Sequence, residues 1–140
     1  MEEFVTFEQA KKLKDLGFNY KTIWFYTYDG NVSCEHLCPD IEGVRLIHAD
    51  YNNQQVAEMY NVECSAPTLA QAQKWFREVY GIDIDVNSAY YKLDPDNIVM
   101  YSLYIGNRIP FQKEYYINYE SYEQVLSAGI NHAVKLLNKI

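Results

Sequence analysis

The sequence predicts an α+β domain in which an antiparallel sheet packs against about three helices, mostly on one face. Capping boxes predict helix starts at Thr6, Thr68 and Ser121, because a glutamine follows each hydroxyl three residues later. Turn sequences DGN (29–31) and DPDN (94–97) predict two hairpins. The predicted element order is α-β-β-(β)-α-β-β-β-α.

Helical periodicity follows each capping box and predicts helices over residues 7–16, 69–80 and 122–137. The residues expected to face the core are Phe7, Ala10, Leu13, Leu16, Leu69, Ala72, Trp75, Phe76, Val79, Tyr122, Val125, Leu126, Ala133, Val134 and Leu137. Gly17 and Gly81 stand where helix C-caps belong. Gly129 lies inside the third helix, where glycine costs about 1 kcal/mol relative to alanine, so close packing against the sheet is expected there.

Strands are predicted between the helices, over residues 22–28, 32–37, 44–49, 82–86, 89–93, 98–105 and 112–119. Residues 50–66 fit either a short helix or a polar loop. A chain of 140 residues is the size of one domain, so we expect a single domain over residues 1–140. The alternative is two lobes, 1–50 and 66–140, joined by 51–65.

Composition narrows the function classes. The net charge of −7 argues against binding to nucleic-acid phosphates or to anionic membranes. The longest apolar-rich run, IVMYSLYI, is too short to span a bilayer. The opening MEEFVTFEQ lacks the pattern of a signal peptide, and the three cysteines are then expected to be reduced thiols in a cytoplasm. We expect no cofactor.

The stretch CEHLC (34–38) holds two cysteines and a histidine, which are zinc-ligand types. In a straight strand, Cys34 and Cys38 lie about 13 Å apart at a rise of about 3.3 Å per residue, too far for one metal ion. A bend at Cys38 that recruits Cys64 gives the alternative metal site, with Cys34, His36, Cys38 and Cys64 as ligands. The simpler interpretation is small apolar thiols in a sheet.

Two catalytic arrangements are weaker alternatives. Cys34 or Cys64 could pair with His36, His48 or His132 as nucleophile and base, although no glycine-rich oxyanion loop accompanies them. Asp83 and Asp85 lie on one face of a predicted strand, as a hydrolase or nuclease carboxylate pair could. Their alternation with apolar residues in IDIDV is explained more simply by the solvent face of a sheet.

Tyrosine is the unusual component, with 14 of 140 residues, and it concentrates in the last three predicted strands. Alternation should place some of these residues on the solvent face, where tyrosine beside acidic residues suits protein binding or self-association. The candidate binding residues are Tyr90, Tyr91, Tyr101, Tyr104, Tyr115, Tyr116 and Tyr119. The alternative is that the final helix covers one face and water the other.

The last five elements follow the order of a double-stranded-RNA-binding domain, and this resemblance is topological. Such domains carry lysines at the start of the final helix, whereas this chain has YESYE (119–123) there. Acidic residues there repel phosphate, so we expect no nucleic-acid partner.

Three segments carry a second resemblance: EFVTFEQAKKLKDLGF (3–18), SAPTLAQAQKWFREVYGIDIDV (65–86) and SYEQVLSAGINHAVKLL (121–137). They resemble uncharacterised small proteins of gut Bacteroidetes and of their phages and mobile elements. The shared motifs are packing motifs, and that group has no assigned activity. The resemblance implies an intracellular bacterial or phage setting. Asp50–Cys64 has no counterpart and is interpreted as an insertion.

The sequence therefore favours a small, non-enzymatic, intracellular protein-interaction module with an acidic, tyrosine-rich sheet face and a basic protein partner. The alternatives are the zinc-binding protein and, third, the hydrolase or nuclease with paired aspartates.

Overall fold

The α+β class is confirmed in the computed structural model, which describes residues 3–34, 36–37, 45–90, 99–107, 112–117 and 121–138. Within the strands it describes the backbone alone at 36–37, 45–46, 87–90, 99–102, 104, 107 and 112–117. The chain forms two compact units, Met1–Thr68 and Leu69–Ile140.

Unit 1 is built from two helices and short antiparallel strands. Its elements are α1 (Phe7–Asp15), β1 (Trp24–Tyr26), β2 (Val32–Cys34), β3 (His36–Leu37), β4 (Arg45–Leu46), α2 (Gln54–Tyr60) and β5 (Cys64–Ser65). One sheet has the order β2-β1-β5, and β3 pairs with β4 in a second. The predicted strand over 44–49 is thus limited to β4 and an isolated bridge between Thr22 and Ala49.

The capping box at Thr6 is confirmed and fixes the start of α1. Thr6 Oγ1 accepts from Gln9 N at 3.1 Å, and Thr6 N donates to Gln9 Oε1 at 2.9 Å. Two orphan N–H groups are satisfied in this way. Gly17 follows the helix with φ +95°, the left-handed conformation that the sequence predicts for it.

The hairpin between β1 and β2 is also confirmed. Trp24 pairs with Cys34 and Tyr26 with Val32, so the connection spans residues 27–31. Thr27 N donates to Asn31 O at 2.9 Å, and Gly30 N donates to Thr27 O at 3.0 Å. Gly30 has φ +83°, which glycine adopts without the strain of a Cβ atom.

Both faces of the β2-β1-β5 sheet are covered. On one face, the rings of Phe4 and Trp24 lie 5.7 Å apart and those of Phe7 and Tyr26 lie 5.2 Å apart. On the other face, Phe25 contacts Tyr51 with ring centroids 4.8 Å apart. The sheet is therefore a middle layer inside unit 1.

The segment 50–66, which the sequence left open, supplies that second cover. Asn53 caps α2 through its side-chain oxygen, which accepts from Gln55 N and Val56 N. Tyr51 is fully buried and packs with Phe25, Ala57 and Val62. The segment is thus part of the core of unit 1.

Asn52 joins this segment to two others. Its Nδ2 donates to Phe18 O and its Oδ1 accepts from Ser65 N, both at 2.8 Å. One amide therefore fixes the positions of β5 and of the residues after α1.

Unit 2 is a three-stranded antiparallel sheet with helices. Its elements are α3 (Leu69–Trp75), which continues as a π-helical turn (Phe76–Tyr80), then β6 (Ile82–Tyr90), β7 (Val99–Asn107), β8 (Gln112–Ile117) and α4 (Tyr122–Asn138). The strand order is β6-β7-β8. One strand runs to Tyr90, where the sequence predicted separate strands over 82–86 and 89–93. The second predicted turn, 94–97, lies outside the described residues.

Gly129 confirms the expected close packing of α4 on the sheet. A Cβ atom at this position would lie 2.5 Å from Ile84 Cγ2 and 2.9 Å from Leu103 Cδ1. Ile84 and Leu103 are both buried, so the helix can approach β6 and β7 this closely because residue 129 lacks a side chain.

Two residues that were predicted to face the core are exposed instead. Val79 is 52% exposed because residues 76–80 form a π-turn, whose wider i→i+5 spacing rotates it away from the buried Trp75. Tyr80 then lies beside Trp75, with ring centroids 5.2 Å apart. Tyr122 is 42% exposed at the first helical position, where Val125 and Leu126 take the buried places one turn later.

Candidate functional site

The structure does not bring Cys34 and Cys64 together. Cys34 pairs with Trp24 on one side of β1, and Cys64 pairs with Tyr26 on the other side. The Cα atoms of the two cysteines are therefore separated by two inter-strand spacings, or roughly 10 Å. This is too far for two zinc–sulfur bonds of about 2.3 Å each.

The other two candidate zinc ligands are described in part or not at all. The backbone of His36 pairs with that of Leu46, and Cys38 lies outside the described residues. Within the part of the chain that the structure describes, no group of three or more His, Cys, Asp or Glu side chains could hold a metal ion.

Cys64 has the environment of a core thiol. Its side chain is fully buried, and this burial raises its pKa to about 12, against the opposing effects of Lys14 and Lys11. Glu63 adds to the rise. Because the thiolate is the nucleophile, a thiol held neutral in this way is a poor one at physiological pH.

Asp83 and Asp85 lie on the solvent side of β6, as their alternation predicts. Both are exposed, whereas Ile82 and Ile84 between and beside them are 2% and 1% exposed. We call the surface of the β6-β7-β8 sheet that carries these two carboxylates the outer face. The opposite surface is the one against which α4 packs.

The strand register assigns the tyrosine positions to rows across the sheet. Tyr104 pairs with Asp85 on one side and with Glu114 on the other, and Ser102 pairs with Asn87 and Tyr116. Positions 104 and 116 therefore belong to the rows that alternate with the buried row of Ile84 and Ile105.

The remaining candidate tyrosines divide into two groups. The backbone of Tyr101 pairs with Ser88 and Ile117, that of Tyr115 pairs with Leu103, and that of Tyr90 pairs with Val99, so these three positions belong to the rows that alternate with the rows of Asp85 and Asn87. Tyr91 and Tyr119 lie outside the described residues.

The free edge of the same sheet carries a contact that sequence patterns do not indicate. Among the described residues β6 pairs with β7 alone, so it forms one edge of the sheet. The side-chain amide of Gln73, on α3, donates through Nε2 to the backbone carbonyl of Ile84. The contact joins a helix to a strand eleven residues later, and no local motif encodes such a pair.

The π-turn before β6 adds exposed apolar surface at the same end of the strand. Val79 and Tyr80 are 52% and 37% exposed, and one glycine separates them from β6. Sequence patterns do not indicate this feature, because the i, i+1, i+4 spacing of Trp75, Phe76 and Val79 predicts a continuous α-helix.

None of the helices in the described ranges is long and apolar enough to cross a membrane. No family model matches this chain, and no curated protein and no solved structure matches it either.

Proposed function

We propose that this chain is a small, non-enzymatic protein-interaction module that binds a basic protein partner through the outer face of the β6-β7-β8 sheet. The observation that carries the proposal is the exposed carboxylate pair of Asp83 and Asp85, on a sheet whose other surface is buried by α4. Two like charges on one strand face repel each other, and a cationic partner relieves that repulsion.

The register supports a contribution from tyrosine. The Cα atom of Tyr104 lies in the row of Asp85 and Glu114, and the Cα atom of Tyr116 lies in the row of Asn87. Tyrosine is enriched at protein interfaces because a large ring and a polar hydroxyl share one stiff side chain. We therefore include Tyr104 and Tyr116 in the proposed binding surface.

The overall charge favours a basic protein over other partners. The chain has a net charge of −7, which attracts cationic proteins and repels nucleic acids and anionic membranes. We place the module in the cytoplasm of a bacterial cell and attribute it to a phage or prophage, on the sequence resemblance described above.

The test compares two charge-reversed variants. Asp83→Lys/Asp85→Lys alters the outer face, and Asp15→Lys/Glu58→Lys alters two exposed carboxylates of unit 1. Both raise the formal net charge of −7 by the same amount. The probe is a fluorescent peptide of alternating lysine and threonine, with a glutamate–threonine peptide as the negative control.

We expect the wild type and the unit 1 variant to bind the lysine peptide with similar affinity. The outer-face variant should lose about tenfold or more, since it replaces two attractive pairs by repulsive ones. Equal loss in both variants would mean that net charge alone attracts the peptide, and would remove the outer face as the binding surface.

A further inference from the structure

We infer that a second copy of this chain binds to β2, and that the two β2 strands pair antiparallel about a twofold axis to form a dimer. The inference concerns unit 1 and is independent of the proposed function, which concerns the outer face of unit 2. It rests on the direction of the Val32 backbone groups, on the exposure of Val32 and on the lack of charge in residues 30–34.

The backbone N–H and C=O of Val32 point away from β1. In an antiparallel ladder, directly opposite residues alternate between hydrogen-bonded and non-hydrogen-bonded pairs. Thr27 and Asn31 form a hydrogen-bonded pair, because Thr27 N donates to Asn31 O at 2.9 Å. The next pair, Tyr26 with Val32, is therefore a non-hydrogen-bonded one. The Tyr26 carbonyl agrees with this assignment, since it accepts from Glu63 N at 3.0 Å and so points to β5, on the other side of β1.

β2 is an edge strand that lacks the usual protection of an edge. Among the described residues it pairs with β1 alone, and Val32 is 37% exposed. Proteins commonly protect edge strands from further pairing with charged side chains or proline. Residues 30–34 read GNVSC and contain neither. The edge strands of unit 2 do carry charged residues, Asp83 and Asp85 in β6 and Lys113 and Glu114 in β8.

The side chains of β2 favour a second copy of the same strand. Val32 lies on the face that carries Tyr26, and Asn31 and Ser33 lie on the opposite face. An antiparallel copy has the same alternation. An apolar residue therefore lies opposite Val32 on one face, and polar residues meet on the other.

Charge separates a second copy from a basic partner. Residues 30–34 offer no carboxylate to a lysine or arginine, so a basic segment gains no ion pair along this strand. Two copies with a net charge of −7 each repel one another, and an uncharged strand lets them meet without like charges directly opposite. A twofold axis uses the same strand of both copies, which is the commonest symmetry of homo-oligomers.

The first test measures the sedimentation velocity of the reduced full chain over a series of concentrations. We expect a monomer–dimer equilibrium in the wild type. Val32→Lys places a lysine of each copy close to the axis, and should raise the dimer dissociation constant about tenfold or more. Val79→Lys makes the same substitution at another exposed valine, in unit 2, and should leave the constant within about twofold. A wild type that stays monomeric, or equal losses in both variants, would overturn the inference.

Salt separates strand pairing from association between opposite charges. Because the two acidic copies repel each other, screening by added salt should strengthen a dimer that forms through β2. A dimer that salt dissociates, or that Asp83→Lys/Asp85→Lys abolishes, would place the contact on the outer face and contradict pairing through β2. A dimer that persists in this variant supports the inference, whether or not the lysine peptide still binds.

Disulfide trapping locates the axis and does not depend on a variant that weakens the dimer. The background, Cys34→Ser/Cys38→Ser, keeps only the buried thiol of β5. With the axis at Val32 or at Ser33, the Cα atoms of that residue and its mate lie about 4.5–5.5 Å apart, inside the range of roughly 4.4–6.8 Å that disulfides span. Val32→Cys or Ser33→Cys should then form a covalent dimer in oxidised glutathione. Tyr28→Cys, at a position of the same hairpin that is 65% exposed, should react more slowly, and equal rates in all three variants would reject the paired strands.

Discussion

The two units each contain a three-stranded antiparallel sheet, but they bury these sheets differently. In unit 1 the central strand packs Phe25 on one face and Tyr26 on the other, and both are buried. In unit 2 the edge strand buries Ile84 on one face, whereas the next residue, Asp85, is exposed on the other face. One sheet is therefore a covered middle layer, and the other leaves an acidic surface in contact with water.

The local sequences of the two strands reflect this difference. The covered strand reads WFY, a continuous apolar run, whereas the open one reads IDIDV, a strict alternation. In a strand that is buried on both faces, successive side chains can all be apolar. In a strand that has one face in water, apolar and polar side chains alternate. The pattern shows how many faces are covered, but not which segment covers them.

The largest effect is expected from removing the cover of the unit 1 sheet. Tyr51→Ala deletes a fully buried ring against Phe25 and a hydroxyl that donates to Ile47 O at 2.8 Å. It should lower the free energy of unfolding by about 3–5 kcal/mol. Tyr28→Ala is the control, because Tyr28 is 65% exposed, and it should change the free energy by less than about 0.5 kcal/mol.

The chain offers a separate reporter for each unit. It has two tryptophans, Trp24 in unit 1 and Trp75 in unit 2. Urea unfolding of Tyr51→Ala is therefore followed through Trp24 fluorescence, in a Trp75→Phe background. If Tyr51→Ala and Tyr28→Ala unfold at the same urea concentration, residues 50–62 do not cover the sheet.

A smaller effect is expected at the covered face of unit 2. Gly129→Ala places a Cβ atom 2.5 Å from Ile84 Cγ2, so α4 or the strand must shift. Overpacking costs about 1–3 kcal/mol, and the better helix propensity of alanine returns about 1 kcal/mol of it. We expect a net loss of up to about 2 kcal/mol, measured by urea unfolding through Trp75 in a Trp24→Phe background.

Gln124→Ala makes the corresponding change on the exposed side of the same helix. It should leave the free energy of unfolding within about 0.5 kcal/mol of wild type. A Gly129→Ala protein that is more stable than wild type would mean that α4 lies farther from Ile84 and Leu103 than these distances indicate.

The smallest effect concerns the pH dependence of unit 1. Burial raises the pKa of Asp50, against the lowering effect of hydrogen bonds from the backbone N–H groups of Asn52 and Asn53. The folded protein therefore binds a proton more tightly than the unfolded chain does. Stability should fall as the pH rises from the unfolded value near 3.8 through the higher folded value.

Asp50→Asn should remove this penalty while keeping an acceptor oxygen for Asn52 N. The variant should gain stability relative to wild type as the pH rises from acid to neutral, and the difference should vanish below the unfolded pKa. Urea unfolding at several pH values measures it. Asp15→Asn removes one charge from an exposed site and serves as the control. A constant difference across the pH range would contradict the assigned shift.

Local chemistry made much of the fold predictable. Capping at Thr6 and Ser121 places the starts of α1 and α4, and Ser121 Oγ accepts from Gln124 N at 3.2 Å. The glycines at 17 and 81 both adopt the left-handed conformation that ends a helix. These features depend on a few consecutive residues, so the sequence contains them in full.

The features that escaped prediction depend on distant contacts. Tyr51 looks like a loop residue because the aspartate and asparagines beside it are turn formers, and its burial comes from Phe25. Val79 is exposed because residues 76–80 form a π-turn, which no residue type in the sequence indicates. Of the candidate site, Asp83 and Asp85 were predictable from alternation, and the edge contact of Gln73 with Ile84 was not.

The most direct test of the account inserts one positive charge into each sheet. Ser65→Lys places it on the covered sheet of unit 1, where Ser65 is 1% exposed, and Asp85→Lys places it on the outer face of unit 2. Urea unfolding is read through Trp24 for the first variant and Trp75 for the second. We predict that Ser65→Lys lowers the free energy of unfolding by at least about 3 kcal/mol and that Asp85→Lys changes it by less than about 0.5 kcal/mol. Comparable large losses in both variants would mean that the outer face is covered, and would contradict its assignment as the binding surface.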